Sequence, residues 1–520
     1  MKRIIALLLA VVLTLAVCAF AVSCGEDTPA ETSTSTEKKE TTSSSSASTS
    51  STSATSSSAT SSSSTPDDPD VPDYESWNGR TKMPGMMDID FGGKTFLIAA
   101  RTDESTGGWN NPGEIWVESL NNEAVNDAVY ERNRVMKELY NCSIEVDDGG
   151  WANGFNADIS SGGGKYIAGC AAYQTGASGS FYNVLNLDID FTQPWWDTAE
   201  IRDLSCNGKL YEISGDFAVH VMRAAWIMFY NKDIYEQNLA SEYNIYQLVR
   251  DKKWTVDTLL TMCQKVLKDN NGDQEYTYSD AAGADMIGMV TTAHNYRALW
   301  FACGERYVDK DDNGKMVSAI SRSGRGSDVI DKVRTLTADA SYLELPYTSV
   351  HQAMMNGTAL FAGEVLGTLE VMAQQEDLRL GIVPQPLYDE NQTEYYHYVN
   401  NQAAFYLIPT SYADMETIAD FFTLFAAHSQ KLVRTAFINT YKYNYASDEE
   451  SGEMLDLILN SRVYDPGYLF SFSEFDGIMQ NLMEKTGANN FASAANRYES
   501  KTNANIATYE ERIKAINDPV

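Results

Sequence analysis

The chain has 520 residues, 43% hydrophobic and 11% aromatic, with 30 Tyr and 9 Trp and a formal net charge of −33. That charge argues against nucleic acid and anionic lipid as electrostatic partners, and it is the usual result of a solvated acidic exterior rather than a sign of a cationic ligand. Setting aside the low-complexity N-terminal region leaves about 440 residues, too many for one ordinary core and enough for two lobes of about 200 each.

Lys2-Arg3 precede an apolar run, Ile4–Val22. This is the layout of a secretion signal; the run is short for a spanning helix and ends in small residues. Ala21-Val22-Ser23-Cys24 resembles a bacterial lipobox, with Ala21 where that signal usually has Leu. The resemblance implies removal of residues 1–23 and lipidation of Cys24. The protein would then sit on the extracellular face of the membrane through a lipid anchor. An ordinary secretory signal with an incidental cysteine is the alternative. Residues 24–75 are dominated by Ser and Thr and cannot build an apolar face to offset their ordering entropy. They read as a disordered tether, and about 45 such residues reach roughly 35–40 Å.

Beyond the tether, Lys94–Ala100 is an apolar strand launched from Gly92-Gly93, and a Gly/Asn-rich loop carrying Trp109 follows. Glu123–Tyr140 has helical spacing, with Val125, Val129, Arg132, Met136 and Tyr140 on one face. Ser143–Val146 and Tyr166–Tyr173 read as strands. This alternation predicts an α/β lobe with a largely parallel sheet, whose ligands bind at the carboxyl ends of strands. Trp254–Lys268 reads as an amphipathic helix opening onto a second α/β unit that runs to Thr358. Leu378–Val383 reads as a strand, and Met415–Ala427 and Lys431–Phe437 as helices. Cys142, Cys170, Cys206, Cys263 and Cys303 show no CxxC spacing and read as buried free thiols. HExxH, GxSxG and GxxxxGK[ST] are absent, and the five His are scattered, so no catalytic residue is identified.

Asn207-Gly208-Lys209-Leu210 followed by Tyr230-Asn231-Lys232-Asp233 resembles the family 1 extracellular solute-binding proteins, the maltose-binding-protein-like receptors of ABC importers. Further similar stretches keep the family's order: Lys253-Trp254-Thr255, Met355–Leu360, Gly381–Pro386 and Tyr406–Pro409. The resemblance implies a two-lobed periplasmic-binding-protein-like fold of type II, with hinge crossings and a helical C-terminal region. It implies crossings near Glu212–Asp216 and Thr358–Gly363, with a return near Asn400–Pro409. The lobes would then be 85–213 and 359–405 for the first, and 214–358 and 406–520 (with the C-terminal helices) for the second. The partners it implies are a small-molecule ligand, most readily an oligosaccharide, and ABC permease subunits. The receptor would act as a monomer.

A sugar site needs aromatic faces and hydrogen-bonding side chains. Trp109, Tyr173, Gln174, Trp195, Trp196, Trp226, Trp300 and Glu364 fall in or beside the loops where the cleft is expected; each Trp has core packing as its alternative. Arg101 follows the first strand and binds ligand or pairs with an acid, and Asn400 lies at the third crossing, as a ligand contact or a turn residue. Asp269, Asn271, Asp273, Glu275 and Asp280 occupy alternate and closing positions resembling a calcium loop, with Gln274 where glycine is expected. A polar loop ending a helix is the other reading, so a structural calcium is the only cofactor considered. In Asp309–Gly314 the Asn-Gly pair favours a hairpin turn. The chain therefore reads as a lipid-anchored, non-enzymatic receptor for a carbohydrate. A surface glycan-active hydrolase and a sensory or adhesive receptor of the same fold are the alternatives.

Overall fold

The computed structural model describes residues 73–101, 112–172, 176–279, 283–375, 377–446, 448–483 and 489–516. The candidate signal, Cys24 and nearly all of the tether lie outside the described residues, as do Trp109, Tyr173, Gln174 and Asp280.

Gly92 and Gly93 both take positive φ, 64° and 80°, which glycine adopts without steric cost. They turn the chain into β1 (Lys94–Ala99), whose buried Phe96, Ile98 and Ala99 face the core. The helix Ala124–Tyr140 is capped by Glu123, which accepts from the Asn126 amide, and it ends on left-handed Asn141. It returns the chain to β2 (Cys142–Asp147), parallel to β1. β3 (Ala168–Ala172) joins the other side of β1, also parallel.

The chain then leaves for a second sheet. This is built from β4 (Trp226–Asn231), β5 (Ile287–Thr291), β6 (Tyr342–Glu344), β7 (Ala359–Val365) and β8 (Leu380–Val383), in the spatial order β8-β4-β7-β5-β6. β5 runs parallel to β6 and β7, while β4 is antiparallel to both its neighbours. β4 and β7 are buried along their whole length, as expected for strands covered on both faces. β9 (Ala404–Leu407) returns to the first sheet, antiparallel to β3, and completes the order β9-β3-β1-β2. Each sheet thus carries one reversed strand, delivered by a crossing.

The crossings lie side by side. Ile213 pairs with Tyr406 and Ala225 with Val399, both antiparallel. The expected crossing at Thr358–Gly363 is corrected: Ala359–Val365 is a central strand of the second sheet. Its apolar run is buried between β4 and β5, so the segment up to the return near Val399 belongs to the second lobe. The assignment of 406 onward to the second lobe is corrected too. β9 lies in the first sheet, and the helix Met415–Ser429 packs there through Phe421 on Phe96. The chain passes back through the segment 430–446, and the helix Glu449–Asn460 reaches β8, where the Ser451 hydroxyl accepts from the Ile382 amide. A tail then pairs Arg462-Val463 with His397-Tyr398 and ends in the helix Phe491–Ala515.

Other expectations resolve locally. Thr255 caps the helix Val256–Val266, which buries Cys263 against Gly288 of β5. Asp309–Gly314 lies in a hairpin between Val308–Lys310 and Met316–Ser318, with Gly314 at φ 75°. The five described cysteines are free and buried. Among the described residues no helix is long and apolar enough to cross a membrane.

Candidate functional site

The carboxyl ends of β5, β6 and β7 open onto a cavity of about 650 Å³ beside the return crossing, lined by Trp226, Thr292, His294, Arg297, Tyr347, Glu364, Asn400 and Tyr468 among others. This volume lies within the range of small-molecule sites. The parallel arrangement of β5, β6 and β7 brings three strand ends to one edge, so residues far apart in sequence converge there.

Glu364 lines the cavity, 3% exposed, near the end of the fully buried strand β7. Neither its Oε1 nor Thr292 Oγ1 finds a partner in good hydrogen-bond geometry, although the Thr292 side chain lies near enough to the Glu364 carboxyl to act on it. Burial pushes the Glu364 carboxyl up to about 7; Thr292 and the Val365 amide oppose that rise only in part. A carboxyl left in this state donates or accepts according to what enters the cavity.

Trp226 lines the same cavity. Its indole donates to Asn295 Oδ1 at 3.2 Å and its ring stacks on Tyr398 at 5.5 Å. Only 2% of it is exposed, so it shapes the floor and offers little open face. The open aromatic face is Tyr347, 41% exposed and edge-on to His351 at 4.1 Å. Arg297 is buried against the Tyr468 ring at 4.3 Å and gives Asp476 two hydrogen bonds of 2.7 Å. Burial works against its charge, but the pairing with Asp476 and the Tyr398 and Tyr468 rings hold it protonated. Burial and then Arg297 lower the His294 pKa, which favours the neutral ring. Asn400 lies at the rim, its side chain accepting from the Gln402 amide at 2.9 Å, so it is both a lining residue and a turn residue.

A second cavity, of about 370 Å³, lies where the first lobe, the first crossing and the segment 437–445 meet. Glu114 accepts from the Tyr406 hydroxyl at 2.7 Å and the His220 amide at 2.8 Å. Arg223 pairs with Glu370 at 2.6 Å, and the Tyr441 hydroxyl donates to the same carboxylate at 2.6 Å. Tyr347 lines the larger cavity; burial raises its hydroxyl pKa, and the Thr368 hydroxyl, 3.4 Å away, opposes this.

The remaining expected site residues are dispersed. Trp195 is 1% exposed against Tyr74, and Trp196 is 5% exposed against Phe191 and Phe217, both in the first lobe's core. Trp300 is fully buried among Tyr307, Phe475 and Phe491. Arg101 stands half-buried just past β1 and lines neither cavity. In the candidate calcium loop, Asp269 accepts from the Gly272 and Gln274 amides, Asn271 from Asp273, and Asp273 from Glu275. Asp280, the closing position of that loop, lies outside the described residues, and among the described residues no group of three or more His, Cys, Asp or Glu is placed to hold a metal. Thr292, His294, Arg297, Tyr347, Tyr468 and Asp476 were not anticipated. Thr291-Thr292 closing an apolar run was the one readable signal; the Arg297–Asp476 pair spans 179 positions and left none.

No protein-family model and no curated protein matches the chain. Solved structures do. The sugar-binding protein MalE from the phytopathogen Xanthomonas citri superposes with a TM-score of 0.53 at 10% identity, covering 81% of this chain and 99% of that one. The cyclic alpha-maltosyl-1,6-maltose binding protein from Arthrobacter globiformis gives 0.51 at 12%, covering 80% and 99%. M. tuberculosis UspC gives 0.50 at 11%, covering 79% and 100%. The chain has the two-lobed fold of these proteins. Each neighbour is covered almost end to end.

Proposed function

We propose that the protein is an extracellular solute-binding receptor that captures a carbohydrate and delivers it to an ABC importer. The observation that carries this reading is the cavity at the strand ends beside the crossings, where buried Glu364 and Thr292 present polar atoms without well-placed partners and Tyr347 an exposed ring. A sugar presents hydroxyls to the first two and a C–H face to the third. Capture proceeds by hinge movement at the crossings. The fold neighbours named for sugar binding support the reading.

Thermal unfolding with a panel of mono- and oligosaccharides tests it, because a ligand bound only by the folded state raises Tm. A rise with at least one sugar is expected, with no release of reducing ends; turnover of the sugar would favour the hydrolase instead. Anchoring through Cys24 belongs to the same proposal. Cys24→Ala is expected to move the protein from the membrane fraction to the medium or leave it unprocessed, and unchanged membrane retention with normal processing would count against the lipid.

A further inference from the structure

The C-terminal tail is fastened to the second lobe. Asp465 accepts from the Tyr307 and Val308 amides at 2.8 and 3.3 Å, Asp476 binds Arg297, and Asn503 accepts from the Ser318 amide at 2.9 Å. The first lobe is seated on that tail through the helix Thr198–Leu204 and its cap, Asp197. Asp197 takes the Arg462 guanidinium and the Tyr464 hydroxyl, and Asp203 accepts from the Tyr464 amide at 3.0 Å. The seat lies against the first crossing: Trp196 pairs with Gly215, and the Ser214 hydroxyl donates to Glu200. A hinge movement at the crossing therefore works on this joint.

The joint holds more carboxyls than cations. Asp197, Glu200 and Asp216 all act on the largely buried Arg462, and Glu212 acts on Glu200. The other guanidinium is Arg434, 3.3 Å from Asp216 and shared with Asp456 at 3.8 Å; Gln430 faces Asp216 beside it. Arg202 is taken by Asp203. Glu200 and Glu212 are 0% and 1% exposed, and Glu200 Oε1 finds no partner in good hydrogen-bond geometry. Four carboxyls held out of water around one guanidinium and a share of a second do not all ionise. Burial accordingly raises Glu200 well above the carboxylate range and Asp216 to about 7; Asp197 adds to both, while Ser214 opposes the first and Arg434 and Arg462 the second. Where the joint opens, water reaches both groups and restores their ordinary values, 4.5 and 3.8. Seating is therefore favoured in full below those values and weakens as pH rises through about 7.

We propose that this joint is a proton-dependent latch: protonated Glu200 and Asp216 hold the first lobe on the tail, and their ionisation frees the two lobes to move at the crossings, whatever ligand the cleft takes. Hydrogen exchange at the Tyr464 amide of the full chain reads the latch, because that N–H is bound across the joint to Asp203. After correction for the intrinsic pH dependence of exchange, its opening constant is expected to rise at least about tenfold between about pH 5.5 and 8.5. The rise is expected to exceed that at the Phe229 amide, which lies inside the second sheet and reports its opening instead. Glu200→Gln and Asp216→Asn are each expected to reduce this excess, and together to abolish it. No excess at Tyr464 over Phe229 in the unsubstituted protein, or an excess undiminished in the variants that fold, would overturn the proposal.

Discussion

Glu364 concentrates the chemistry of the site because its carboxyl is buried on β7 and no cation acts on it. Its pKa, raised by burial to about 7 from an ordinary 4.5, links the residue to stability with a definite sign. The folded protein holds the proton more tightly than the unfolded chain. Stability from this group is therefore complete below about pH 4.5 and is lost as pH rises through about 7, by roughly 3 kcal/mol. Glu364→Gln keeps the shape and removes the charge. Its Tm is expected to exceed that of the unsubstituted protein at pH 8 and to match it near pH 4.5; a constant difference across that range in a pH-resolved melting series would contradict the assignment.

At the scale of elements, the second sheet depends on close packing of helix against strand. The helix Val256–Val266 approaches β5 so nearly that a Cβ on Gly288 would lie 2.4 Å from Cys263 Cβ and 2.6 Å from its Cα. These are rigid atoms, so the helix itself must move to admit a methyl group. Gly288→Ala is expected to cost at least about 2 kcal/mol, read as a lower urea midpoint with an unchanged slope. This helix was legible in the sequence, because Leu259, Cys263 and Val266 recur at helical spacing and Thr255 caps the start. The strand β7 was legible as an apolar run but not as a sheet centre: Ala359–Val365 has the same composition whether it crosses between lobes or lies between two other strands. Two adjacent tryptophans likewise look like a cleft feature in sequence, yet Trp195 and Trp196 both found aromatic neighbours in the first lobe. Glu364 was legible as a candidate from its place after Gly363, whereas Arg297 and Asp476 were not, since their pairing joins two distant elements.

Across the whole molecule, the C-terminal tail ties the lobes together on a face made by the segment 197–209. Arg462, in the strand paired with His397-Tyr398, binds Asp197 at 2.8 Å, and the Tyr464 hydroxyl donates to the same carboxylate. Lys209 of the first lobe donates to the Ile516 carbonyl at 2.8 Å, and Lys310 of the second-lobe hairpin donates to Ser205 at 2.8 Å. Asp197 also caps the helix Thr198–Leu204. Arg462→Ala leaves this buried carboxylate without its cation and is expected to cost about 3–5 kcal/mol. Chemical denaturation checks it; a loss below about 1 kcal/mol would mean that the pair does not hold the tail.

The sequence by itself determined the class of structure, an α/β fold of two lobes. Apolar runs, helical periodicity and chain length follow from local chemistry, and the order of short motifs carried the resemblance to solute-binding proteins. The tertiary structure alone decided where the chain crosses, which tryptophans are core, and which polar atoms at the strand ends lack a well-placed partner. Crossing and burial are properties of pairing between distant segments. A side chain's partner, and so its charge state and its availability to a ligand, is fixed only when both segments are in place.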